Sequence, residues 1–220
     1  MARTALVAGA SGLVGSHVLH LLLEDPEYQR VTVLARRALP TTHKRLEQRI
    51  LALDGLAQMA DFPRVHDVFC CLGTTIRRAG SQEAFRKVDY AYVVELARVA
   101  VRHRASQFLA VTAIGADPRS RVFYNRVKGE AEEALRRLSF EGIHLFRPSL
   151  LLGRRAERRP AGWMAMMLSP LISWAFMGSL ARYRPIKALV VARAMVRVAR
   201  EGGRGVRVYE SDEIRRLGRR

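Results

Sequence analysis

The sequence predicts a doubly wound α/β fold: one parallel sheet with helices on both faces, built as a single domain over residues 1–220. Three observations predict it. Short apolar runs alternate with amphipathic stretches from the first residues onward, as repeated strand–helix units require. The first run passes directly into a glycine-rich turn and then into a helical pattern. The 220 residues, 49% hydrophobic, can enclose one sizeable core and not comfortably two.

The first strand reads Thr4–Ala8. The helix after it, Leu13–Leu23, places Val14, Val18, Leu21 and Leu22 at the i, i+4, i+7, i+8 spacing of one buried face. Further strands are expected at Val31–Ala35, Ile50–Leu53, Asp67–Leu72, Gln107–Thr112 and His144–Arg147, with a weaker late one at Val206–Tyr209. A second helix is expected over Glu83–His103, turning Val93, Leu96, Ala97 and Ala100 inward, and a third over Tyr124–Leu138 with charges on its outer face. Cys70 and Cys71 are strand neighbours, so they point to opposite faces and do not pair, which suits a reducing compartment such as the cytoplasm. The apolar start is broken by glycines and lacks a charged leader and a small-residue cleavage pattern, so it does not read as an export signal.

The formal net charge is +18, a balance that points to an anionic partner. Only Lys44, Lys87, Lys128 and Lys187 among the basic residues are lysine, and the arginines are spread along the chain instead of forming an arm or stripe. Nucleic acid is therefore not the expected partner. Trp163–Leu180 contains no charged residue and is flanked by Arg158 and Arg159 on one side and Arg182 and Arg184 on the other. That length barely reaches across a bilayer, and Ser169, Pro170, Ser173 and Gly178 interrupt it. The expected structure is a broken apolar helix within a 151–185 lid or interface region. It would cover a pocket or a homodimer face, with peripheral membrane contact as the alternative.

Gly9-Ala-Ser11-Gly12-Leu13-Val-Gly15 follows the first strand, and the helix begins within it. Such a turn needs positive φ at a glycine, a backbone that a pyrophosphate can approach with no Cβ in the way, and the free N–H groups of a helix start. The spacing is G-x-x-G-x-x-G, so the strand–loop–helix context carries the assignment of a Rossmann-type nucleotide site. An acid about 20 residues beyond the glycines holds the ribose 2′-hydroxyl of NAD in many such proteins. Here Ala35 stands in that place, followed by Arg36 and Arg37, whose guanidinium groups suit a 2′-phosphate. NADP(H) is the expected cofactor.

Tyr124 and Lys128 lie four apart on the third helix and share a face, where an ammonium favours loss of the phenolic proton and reaches a nicotinamide ribose. A second pair at the same spacing, Tyr183 and Lys187, is interrupted by Pro185 and is set aside. Thr112, at the end of the fifth strand, is the expected hydroxyl partner for a substrate carbonyl. No metal-ligand pattern stands out.

The motifs GASGLVG (9–15), VTVLARR (31–37), DVFCCLGTT (67–75), KVDY (87–90), YNRVKGEAE (124–132) and FRPSLLLG (146–153) together resemble the short-chain dehydrogenase/reductase superfamily, in its small atypical branch of Tat-interacting-protein oxidoreductases. The resemblance covers nearly the whole chain. It implies that Gly9, Ser11, Gly12, Leu13 and Gly15 line a pyrophosphate, Arg36 a 2′-phosphate, and Leu53 with Asp54 an adenine. It further implies that Gly73 lies along the middle of the cofactor, that Tyr124 and Lys128 are the catalytic pair, and that Pro148 brings backbone against the nicotinamide. The chain departs from the pattern after the fifth strand, where two serines are expected and Thr112-Ala113 stands. An NADP(H)-dependent reductase acting on a carbonyl substrate is the leading expectation, and an NADP(H)-binding regulatory protein with little catalysis is the alternative.

Overall fold

The computed structural model describes residues 3–59, 61–153 and 182–219. The chain runs β1 (Arg3–Ala8), α1 (Leu13–Glu24), β2 (Tyr28–Ala35), β3 (Leu46–Ile50), a 3-10 turn (Leu53–Gln58) and β4 (Asp67–Cys70). Two short helices follow, α2 (Ile76–Ala79) and α3 (Gln82–Arg86), then a π turn (Lys87–Ala91) and α4 (Tyr92–Arg102). The remainder is β5 (Gln107–Val111), α5 (Phe123–Arg136), β6 (Gly142–Arg147), β7 (Leu151–Leu152), β8 (Ile186–Lys187), α6 (Ala188–Glu201), β9 (Gly205–Glu210) and α7 (Ser211–Gly218). Seven strands form one sheet in the order β3-β2-β1-β4-β5-β6-β9. Every neighbouring pair in it is parallel, and β7 pairs with β8 separately.

A parallel sheet covered on both faces needs strands that are apolar on both sides, and alternate residues here serve two cores. Ala5, Val7, Val31, Val33, Phe69 and Leu109 pack under α1 and α6, against Val18, Leu22, Val191 and Met195. Leu6, Ala8, Leu34, Val68, Phe108 and Leu145 face the other way, onto Leu96, Ala97 and Ala100 of α4 and Leu135 of α5. The two cysteines follow the same alternation. Cys70 joins the α4 side, Cys71 lies against the α1 side, and both are free thiols.

The differences from the sequence expectation have local causes. The third strand lies at Leu46–Ile50 and not at Ile50–Leu53. It is a polar edge strand, held partly by the Gln48 side chain, which accepts from the Leu39 N–H at 2.8 Å; the apolar run beyond it coils into the 3-10 turn that buries Leu53 and Leu56. The expected Glu83–His103 helix is broken by the π turn at Lys87–Ala91. The helix α6, absent from the sequence reading, is the crossover that lets β9 return parallel to β6. Trp163–Leu180, the expected lid or interface, lies outside the described residues. Among the described residues no helix is long and apolar enough to cross a membrane.

Candidate functional site

The strand order reverses between β1 and β4, which opens a crevice at their carboxyl ends. The glycine turn fills it. Gly9 has φ +85°, and a Cβ there would stand 2.4 Å from the Cys71 carbonyl oxygen of the neighbouring strand exit. The Gly12 N–H donates to Gly9 O at 2.8 Å, and a Cβ at Gly15 would stand 2.3 Å from that same oxygen. Each glycine is therefore required by close backbone approach. Gly12 caps α1 with no side-chain bond, so the first N–H groups of the helix remain free for an anion. Ser11 is exposed beside them, and Leu13 reaches across to Gly153, where a Cβ would meet its side chain at 2.4 Å.

Arg36 and Arg37 leave the carboxyl end of β2 exposed, with no hydrogen bond or ion pair among the described residues. Leu53 is buried at the start of the 3-10 turn. Asp54 is exposed beside it and already engaged: Lys87 Nζ stands 2.8 Å away and the Tyr92 hydroxyl donates to it at 3.0 Å. These two contacts hold the Asp54 carboxyl below the usual carboxylate range.

Gly73 follows β4 and is exposed, and a Cβ placed there would meet Asp89 Oδ1 at 3.3 Å and Lys128 Nζ at 3.7 Å. Lys128 is itself only 4% exposed, and its ammonium lies 2.8 Å from Asp89 Oδ1. Asp89 Oδ2 accepts the Thr74 N–H at 2.9 Å. Burial alone would lower the lysine pKa; the Asp89 carboxylate, with Tyr124 nearby, overcomes that and holds it above the ordinary lysine range. Tyr124 is half-buried one turn before Lys128, its ring against buried Phe85 at a centroid distance of 5.4 Å.

The expectation for Thr112 is corrected by its contacts. Its hydroxyl donates to Glu132 Oε1 at 2.7 Å and also lies 3.1 Å from the Phe146 carbonyl oxygen, buried, so it is not presented to a substrate. Ala113, next in the chain, has no hydroxyl to replace it. Glu132 in turn receives Arg147 through Nε at 2.9 Å and Nη2 at 2.6 Å, and Arg147 continues to Glu210 at 3.2 Å. Pro148 is buried after β6, and its carbonyl accepts the Ile114 N–H at 3.1 Å, tying together the loops that leave β5 and β6. Lys187 of the discarded pair is exposed at the end of β8, outside any shared helix with Tyr183.

The structure thus joins Gly9, Gly12, Gly15, Leu13, Gly73, Lys128 and Tyr124 around one crevice and sets Arg36 and Arg37 at the neighbouring strand end. Asp89 and Glu132 escaped the sequence reading. A signal existed for Glu132, which continues the four-residue spacing of Tyr124 and Lys128 along α5.

Free helix-start N–H groups, glycines pressed against backbone and a strand-order reversal define a Rossmann-type dinucleotide-binding protein, and these residues fit such a cofactor. The chain belongs to the NAD dependent epimerase/dehydratase family, whose model matches residues 5–203. Within it the chain falls in the atypical short-chain dehydrogenase/reductase branch of the Tat-interacting protein. It is 33% identical to Protein HTATIP2 of Rattus norvegicus, over 99% of this chain and 90% of that one. It is 32% identical to Protein FMP52, mitochondrial, of Coccidioides immitis, over 100% and 97% respectively. The name of that relative departs from the cytoplasmic setting expected from cysteine usage. The fold is shared with the Bordetella bronchiseptica enzyme WbmH in complex with NAD+, at TM-score 0.69 and 15% identity, over 95% of this chain and 75% of that one. The protein is an NAD(P)-binding, oxidoreductase-like member of its family.

Proposed function

We propose that the protein is an NADP(H)-dependent oxidoreductase of the short-chain type acting on a carbonyl substrate. The observation that carries this reading is the placement of Lys128. Its buried ammonium reaches the crevice beside Gly73, where a side chain is missing, and Tyr124 stands one helical turn away. A nicotinamide cofactor held in this crevice would supply hydride-transfer chemistry. Tyr124 gives its phenolic proton to the substrate oxygen, and the Lys128 ammonium offsets the negative charge left on the phenol. Phe85 packs against the ring and limits its movement. The free N–H groups of α1 would hold the pyrophosphate, and Arg36, with Arg37, would take the 2′-phosphate.

A second reading, an NADP(H)-binding regulatory protein with little turnover, is favoured by one observation: Thr112 is committed to Glu132 and Ala113 has no hydroxyl. Two measurements decide. By calorimetry NADPH should bind about 10- to 100-fold more tightly than NADH, and Arg36→Asp should reverse the order. Equal affinities in wild type and variant overturn the NADP(H) assignment. Against a panel of carbonyl compounds with NADPH, Tyr124→Phe should lose roughly 100-fold or more in turnover with NADPH affinity nearly unchanged. A variant that keeps most of the wild-type rate overturns the mechanism, and tight NADPH binding with no turnover on any compound selects the regulatory reading.

A further inference from the structure

The buried carboxylate of Asp89 is not explained by core packing. It sits on the π turn ahead of α4, is 1% exposed, and makes two contacts: Lys128 Nζ at 2.8 Å and the Thr74 N–H at 2.9 Å. The π turn fits this placement, because the extra residue in the helix aims the side chain toward the exit of β4. We infer that Asp89 is a positioning residue: it clamps the Lys128 ammonium to the backbone that follows Gly73 and supplies the counter-charge that keeps this lysine ionised inside the fold.

The groups facing Lys128 leave no substitute. Asp89 faces it from the π turn, Tyr124 from its own helix, and Cys70 from β4. The Cys70 thiol is pushed up to about 11, chiefly by burial, and is neutral at ordinary pH. Asp89 is the one carboxylate paired with Lys128 among the described residues. Lys44, Lys87 and Lys187 are exposed, so Lys128 is the single lysine for which desolvation is severe. Removing one partner of a buried pair leaves the other charge uncompensated, and a lysine escapes that state by losing its proton. In the wild type the pair stabilises the fold throughout neutral pH, because the raised lysine remains charged there. In Asp89→Asn the lysine pKa falls below its unfolded value, so stability rises with pH between the two values, a pH dependence that a lost packing contact alone would not give.

Four lysines make the direct experiment practical. Cofactor-free protein labelled with 13C-lysine is titrated by NMR, wild type beside Asp89→Asn. The expected result is no Lys128 transition up to pH 10 in the wild type and a transition lowered by on the order of 2 units or more in the variant. A folded Asp89→Asn whose Lys128 signal titrates as in the wild type overturns the inference. If Asp89→Asn does not fold, the double variant Asp89→Asn/Lys128→Met carries neither charge: recovery of folding supports the pairing, and continued failure overturns it. The inference adds to the proposed use of Lys128 by the cofactor, and NADPH titration separates the two. Asp89→Asn should weaken NADPH binding increasingly as pH rises past the lowered transition. A lowered transition with unchanged NADPH affinity supports the pairing and overturns the assignment of Lys128 to the cofactor.

Discussion

Glu132 is 2% exposed and receives Thr112, both arms of Arg147 and, at 3.8 Å, Arg136. The hydrogen bond to Glu132, with Glu210 adding to it, outweighs burial and holds the Arg147 guanidinium above even its usual range, so it is charged at every ordinary pH. Glu132→Gln leaves that guanidinium with Glu210 alone and should cost about 3–5 kcal/mol in urea unfolding. A loss below about 1 kcal/mol would mean that Arg147 re-pairs at the surface. At this scale the sequence was half legible. Tyr124 and Lys128 stood out by their four-residue spacing on α5, a spacing that Glu132 continues, whereas Asp89 depends on partners from distant segments that no spacing reveals. Thr112 stood in the expected place, but residue type alone does not say which way a side chain turns at a strand exit.

The element that most constrains sequence is the turn between β1 and α1. Gly15→Ala would press a Cβ to 2.3 Å from backbone oxygen, which no rotamer change relieves, so helix and strand must part. We expect loss of folded protein, or a folded variant with NADPH affinity down at least about 10-fold. Gly55→Ala is the matched control: nothing lies within 4 Å of its Cβ, and its stability should stay within about 1 kcal/mol of wild type by thermal unfolding. The glycine turn was readable because it combines spacing with a strand before and a helix after. The π turn was not, since nothing in the spacing of apolar residues marks where a single residue is added. The third strand was misplaced because an edge strand need not alternate, and the more apolar run just beyond it drew the assignment.

At the scale of the molecule, the end of the sheet opposite the glycine turn is closed by polar groups. Asp67 accepts from Arg3 twice, from the Tyr28 hydroxyl at 2.8 Å and from Gln107 at 2.9 Å; Gln107 meets His144 at 3.0 Å, and His144 meets the Tyr209 hydroxyl at 3.1 Å. Burial, with Arg207 adding to it, lowers the His144 pKa to about 4. The unfolded chain binds its proton near pH 6.5, so this histidine's contribution is complete above that value and is lost as pH falls toward 4. About 3 kcal/mol is at stake. Urea midpoints of wild type should fall more steeply across that window than those of His144→Gln, and parallel curves would remove His144 as the source. The overall α/β architecture was legible in the alternation of elements, while this closing network was not, because its members come from six strands.

One bond of that network reaches furthest along the chain. Arg3 Nη2 donates to Ala199 O at 2.7 Å across 196 residues, so the opening strand cannot acquire its last partner until α6 exists. At synthesis rates of about 5–20 residues per second, the interval on a ribosome is roughly 10–40 s. For that time the Arg3 guanidinium waits unsatisfied at this position. The Arg3 side chain is thus among the last groups of this network to be satisfied.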